Sequence, residues 1–154
     1  MKSLLRYYSL ASEKVSCLRS PFLLAVRLYW GWQFVQTGWG KMHHIGKITS
    51  FFMSLNIPFP AASAYLVSGL EFFGGLLLMV GFASRFTGLL LAFNMIVAYW
   101  TADHEALVSI FSNPGKFYVA DPYTFLFASL MVLILGAGLF SVDALVAKRL
   151  EVQV

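Results

Sequence analysis

Four stretches of this chain are so poor in polar residues that each reads as a bilayer crossing, and nothing else in the sequence constrains the fold as strongly. They run from Phe22 to Gly40, from Ala61 to Phe82, from Phe86 to Thr101 and from Tyr123 to Phe140. About 20 apolar residues in helical form cover the roughly 30 Å of hydrocarbon. Lipid leaves a backbone to satisfy its own hydrogen bonds, and the stretches lack the polar alternation of barrel strands, so each is expected to be an α-helix. Composition agrees, with 59% of the 154 residues hydrophobic and only 12% charged. An ordinary soluble domain has roughly 45 to 50% apolar and about 25% charged residues. A single soluble domain of this length has too little interior for so many apolar side chains. The expected fold class is an all-α membrane protein, an antiparallel bundle of four transmembrane helices.

The connections refine this picture. Ala83-Ser84-Arg85 is a hairpin too tight for anything but antiparallel neighbours. Ile45, Ile48, Phe51, Phe52 and Leu55 recur at near-helical spacing before Asn56-Ile-Pro-Phe-Pro60, which predicts a short helix lying in the interface. Ala106, Leu107, Ile110 and Phe111 form a weaker version, halted by Asn113-Pro-Gly115. Both interfacial helices fall on one side. Basic residues orient the bundle: Lys2, Arg6, Lys14, Arg19, Arg85, Lys148 and Arg149 lie on one side, against Lys41, Lys47 and Lys116 on the other. That asymmetry puts both termini in the cytoplasm and the interfacial helices outside. Residues 1–20 are expected to form a cytoplasmic amphipathic segment, 21–144 the membrane domain and 145–154 a cytoplasmic tail. The basic residues are scattered, so the net charge of +4 does not suggest a nucleic-acid partner. The single Cys17 excludes an internal disulfide or a Cys-x-x-Cys redox pair.

Polar groups inside hydrocarbon are expensive and therefore informative. Gln33, Glu71 and Asn94 are expected to share the midplane at depths of about 14 to 18 Å, with Arg27 only about 9 Å deep and able to snorkel. Because Cβ vectors tilt toward helix N-termini, Arg27 and Glu71 lean apart, and a direct pair between them is disfavoured. Gly31 and Gly38 share a face with Arg27, Phe34 and Lys41; Gly74, Gly75 and Gly81 flank the corresponding face of Glu71 and Arg85. Small residues let backbones approach closely, so these are read as packing faces. A midplane Glu71 without a partner is expected to be neutral, a hydrogen-bond donor suited to a carbonyl such as a quinone head group.

His43, His44 and His104, near Asp103 and Glu105, are weak candidates for a metal. Adjacent histidines do not easily share one ion and no His-x-x-His spacing appears, so surface histidines are the preferred reading. No nucleophile elbow, phosphate loop, dinucleotide fingerprint or His-Glu-x-x-His motif occurs, which argues against a self-sufficient hydrolase or kinase.

The combined pattern Arg27-x3-Gly31-x2-Phe34-x3-Gly38-x2-Lys41, Pro58-Phe-Pro60, Glu71-Phe-Phe-Gly74-Gly75, Gly81, Arg85 and Gly136-Ala-Gly138-Leu-Phe-Ser141-Val-Asp143-Ala144 resembles the DoxX family over roughly Arg27 to Ala144. The resemblance implies a multi-pass four-helix bundle in a bacterial or archaeal cytoplasmic membrane, with links to quinone-connected oxidoreductase complexes. It carries over Arg27, Lys41, Glu71 and Arg85 only as pattern positions. No cofactor is encoded by a motif, while a quinone is compatible with the polar layer. The resulting expectation is a quinone-facing or accessory subunit of a membrane redox complex, in contact with lipid, with other membrane subunits or with copies of itself. Its rivals are a purely structural accessory subunit and, less favoured for want of an inverted repeat, a small-solute or proton transporter.

Overall fold

The computed structural model of the chain describes residues 18–151. The amphipathic segment expected at the N-terminus lies largely outside them. Every regular element among the described residues is helical. Helix α1 spans Arg19–His43, α2 Ile45–Ser54, α3 Pro60–Val80, α4 Ser84–Thr101, α5 His104–Val108, α6 Pro114–Val119, α7 Pro122–Leu135 and α8 Val142–Glu151. The apolar stretches become α1, α3, α4 and α7, and the amphipathic connection becomes α2. By length and composition α3 is the helix that can cross a bilayer on its own; α7 is apolar but shorter.

Three boundaries differ from the sequence reading. The fourth apolar stretch was expected to run to Phe140, but α7 stops at Leu135 because Gly136 and Gly138 adopt φ values of 78° and 76°. Hydropathy continues through Gly-Ala-Gly-Leu-Phe while the backbone leaves the helix. Pro114 does not merely halt the outer loop. It sits in the first turn of α6, where its missing N–H costs no hydrogen bond. The boundary expected at residue 145 falls inside a helix, since α8 covers Val142–Glu151.

The long helices pair in chain order. α1 packs chiefly on α3 and α4 chiefly on α7, and the two pairs meet along α3 and α4 and, less closely, along α1 and α7. Glycines set both intimate contacts. A Cβ on Gly38 would lie 2.4 Å from the Phe72 amide nitrogen, and one on Gly75 would lie 2.7 Å from the Gly31 carbonyl oxygen. On the second pair, a Cβ on Gly88 would come within 3.0 Å of the Ser129 carbonyl oxygen. Phe34, Leu78, Leu91, Met95 and Val132 fill the centre, with Phe34 meeting Phe125 edge to face at 4.7 Å. Large apolar side chains cover the outside instead: Leu66, Phe73, Phe93 and Ile134 are all more than half exposed.

Candidate functional site

Close packing of α1 on α3 sets a register that brings Lys41 opposite Glu71. Side chains lean toward the N-terminus of their own helix. In an antiparallel pair Lys41 therefore leans into the bundle from the end of α1, and Glu71 leans up to meet it. The Lys41 Nζ donates to Glu71 Oε1 at 2.6 Å, and the Asn94 Nδ2 donates to the same oxygen at 3.1 Å. The Glu71 side chain is 2% exposed and that of Lys41 32%. The lysine thus links a buried carboxylate to the end of the bundle where α1 closes. The second carboxylate oxygen, Oε2, is buried with no hydrogen-bond partner among the described residues.

This arrangement differs from the expected midplane layer in two members. Glu71 and Asn94 meet, but Gln33 is half-buried and makes no side-chain hydrogen bond among the described residues. Facing helices run level near Gly31 with Gly75 and near Gly38 with Phe72, which leaves Gln33 about a turn below Glu71. Lys41 takes its place. The premise of an unpartnered acid at Glu71 falls with it, because a lysine ammonium lies within direct contact. Lys41 was read as an orienting surface charge, and the signal that could have found it was the shared face with Gly38 combined with the lean of its side chain.

Arg27 does not snorkel. It is fully buried, and its Nη2 donates to the Phe140 carbonyl oxygen at the junction of α7 and α8. Its Nε and Nη1 have no acceptor among the described residues, and Nη1 lies where a Cβ on Gly81 would stand. Gly81, at φ 70°, closes α3 and leaves room for the guanidinium. Arg27 therefore belongs to a separate cluster at the inner end, well away from Glu71, as the opposite lean of the two side chains requires.

Asp143 completes that cluster and was missed except as part of a family motif. Its two carboxylate oxygens accept the Ala83 and Ser84 N–H groups at 2.7 and 2.8 Å, capping α4 from the start of α8. Its own N–H donates to the Gly81 carbonyl oxygen at 3.0 Å. Arg19 adds a further tie, donating to the Leu135 carbonyl oxygen at 2.7 Å. Removing both cap acceptors in Asp143→Ala is expected to destabilise the fold by about 2 kcal/mol, with Asp143→Asn intermediate, in denaturant unfolding of detergent-purified protein. Equal stability of Asp143→Ala and the parent would show that the cap carries no weight.

The outer histidines stay local. His43 and His44 bond the carbonyl oxygens of Trp39 and Gly40 in the turns behind them, and His104 packs edge-on against Trp100. No group of three or more His, Cys, Asp or Glu residues placed to hold a metal occurs among the described residues. Nearby, burial and then the charge of Asp121 hold the Asp103 carboxyl above its usual range. Such an acid binds its proton more tightly when folded, so its charged form opposes folding once the pH exceeds ordinary carboxylate values. Asp103→Asn is expected to raise stability at neutral pH, by roughly a few tenths of a kcal/mol, and to leave it unchanged where Asp103 is protonated. Paired thermal melts at the two pH values test this.

Together these features define a helical bundle with an apolar exterior, two helix pairs locked by glycine contacts, and buried charge at two separate levels. The chain belongs to the DoxX family, whose profile matches residues 22–104. It is also similar to a Bacillus subtilis (strain 168) protein named "Putative oxidoreductase CatD", at 28% identity over 125 residues, covering 81% of this chain and 87% of that relative. No solved structure matches the chain.

Proposed function

We propose that the protein is a multi-pass membrane protein with α1, α3, α4 and α7 crossing the bilayer and both termini in the cytoplasm, serving as a quinone-facing or accessory subunit of a membrane redox complex. The apolar exterior supports the membrane reading, and helix lengths fit it: α1 with 25 residues and α3 with 21 extend about 37 and 31 Å. The short α7, with 14 residues, ends at Leu135, and the non-helical Gly136 to Phe140 segment carries the chain on to α8. The oxidoreductase name of the Bacillus relative supports the redox reading.

The observation that carries the proposal is the Lys41, Glu71 and Asn94 cluster with its unpartnered Glu71 Oε2. Its donor set fits a quinone: the Lys41 ammonium can donate to a carbonyl oxygen, and Oε2 can accept from a quinol hydroxyl. A bound quinone supplies two-electron, two-proton chemistry. Glu71 would hold or pass a proton at Oε2, Asn94 would fix the carboxylate by binding Oε1, and Lys41 would connect the buried acid with the outer surface.

Glu71→Gln is expected to keep the fold, since the Lys41 ammonium it releases already reaches solvent, and to abolish quinone retention or turnover in the purified complex. Mild-detergent purification with mass spectrometry of co-purifying proteins and small molecules supplies the assay. Unchanged retention and activity in Glu71→Gln would remove this residue from the mechanism, and a fixed protein partner without quinone would favour the purely structural role.

A further inference from the structure

Two cavities open side by side where α3 turns into α4, and they share Ala83 and Phe86 as common walls. The first, of about 370 Å³, is the one with polar groups in its walls: Ser84, Arg85 and Asp143 line it beside Gly136 and Ala137. The second, of about 310 Å³, lies between α3 and α4 and is walled by Leu70, Phe73, Leu77 and Leu90.

The polar cavity holds unused donors. Asp143 occupies the Ala83 and Ser84 N–H groups, but among the described residues nothing accepts from the next two, those of Arg85 and Phe86. Ser84 forms part of the wall at 1% exposure, and its Oγ is buried without a partner. The Arg85 side chain is exposed and passes over Gly136. The Asp143 carboxylate on the same wall opposes an anion, but it is engaged by two N–H groups and lies within the field of the Arg27 guanidinium behind it. Arg85 is then the charge that faces outward.

We propose that the joined cavities bind one anionic phospholipid, its phosphate held by Arg85 and the first turn of α4 and one acyl chain laid in the groove between α3 and α4. This rests on the membrane reading above. On α3 the groove runs from Leu70 to Leu77, about 10 Å along the axis, and continues past the helix end to Phe82, which keeps it within the roughly 15 Å of one leaflet. A free phosphate would use only the polar half, and a prenylquinone tail only the apolar half. Lys148 and Arg149, exposed on α8, add positive charge at the C-terminal end, on the side expected to face the cytoplasm, where a polybasic surface concentrates anionic headgroups.

The test is native mass spectrometry of the full chain in neutral detergent, titrated separately with phosphatidylglycerol, phosphatidylcholine, inorganic phosphate and a prenylquinone. Phosphatidylglycerol is expected to bind roughly fivefold more tightly than phosphatidylcholine, and Arg85→Gln to erase that preference. Leu77→Trp, which fills the groove from a partly exposed position, is expected to weaken both lipids alike; Leu90→Trp serves as its duplicate, and circular dichroism checks that each variant is folded. Inorganic phosphate is expected not to displace the lipid. The proposal is overturned if Arg85→Gln keeps the preference, if both tryptophan variants bind as the parent does, or if phosphate or a prenylquinone displaces phosphatidylglycerol. Alkaline extraction of membranes separates the two readings. Loss of the parent chain into the wash sinks the membrane reading, whereas retention without phosphatidylglycerol binding sinks this inference alone.

Discussion

Gly38→Ala is expected to destabilise the protein by about 2 kcal/mol or more, although an alanine in a helix interior ordinarily gains about 1 kcal/mol over glycine. The added methyl would stand 2.4 Å from the Phe72 nitrogen, 2.8 Å from its Cα and 2.8 Å from the Ser68 carbonyl oxygen. All three are backbone atoms of α3, so no side-chain rotation relieves the overlap and the helices must separate. Separation also draws Lys41 away from Glu71, adding an electrostatic loss to the steric one. Gly40 is the internal control: two residues along the same helix, it has nothing within 4 Å of the corresponding position. Gly40→Ala is expected to be neutral or stabilising. Parallel unfolding of the two variants in detergent decides the matter, and a Gly38→Ala protein as stable as Gly40→Ala would mean that α1 and α3 are not held in this register.

Lys41→Met is expected to cost about 3 kcal/mol, because it strands a carboxylate that cannot reach water. Glu71 would keep only Asn94 as a donor on one oxygen and none on the other. The reverse change is milder, since Lys41 is about a third exposed and finds water once Glu71 becomes neutral. The double variant Lys41→Met with Glu71→Leu should recover most of the loss, as apolar replacements of buried ion pairs commonly do. The measurement is a double-mutant cycle on unfolding free energy. Additive effects of the two single changes would show that the two side chains are not coupled.

How much of this was legible in the sequence depends on which physical property each element needed. Four helices and the amphipathic α2 could be located from apolar runs and period alone, with α1, α3 and α4 starting within three residues of the expected positions. The early end of α7 could not, because Gly136 and Gly138 are as apolar as the helix before them and only their positive φ values end it. Lys41 illustrates a different limit. Counting charges by side treats each lysine as a point at its Cα, whereas this one carries its ammonium inward along α1 to Glu71. Arg27 and Asp143 needed three-dimensional knowledge outright. Their partners, Phe140 for Arg27 and Gly81, Ala83 and Ser84 for Asp143, are each more than 50 residues away, so no local spacing announces them.

The pairing of the long helices in chain order has a consequence for biosynthesis. α1, α2 and α3 complete their mutual contacts before any residue of α4 is needed, so the first half of the polypeptide can settle while the ribosome is still making the second. Asp143 arrives only after α7 has been made and fastens the later helices to the earlier ones through Gly81. A chain cut short before that residue would hold both halves without the clasp between them.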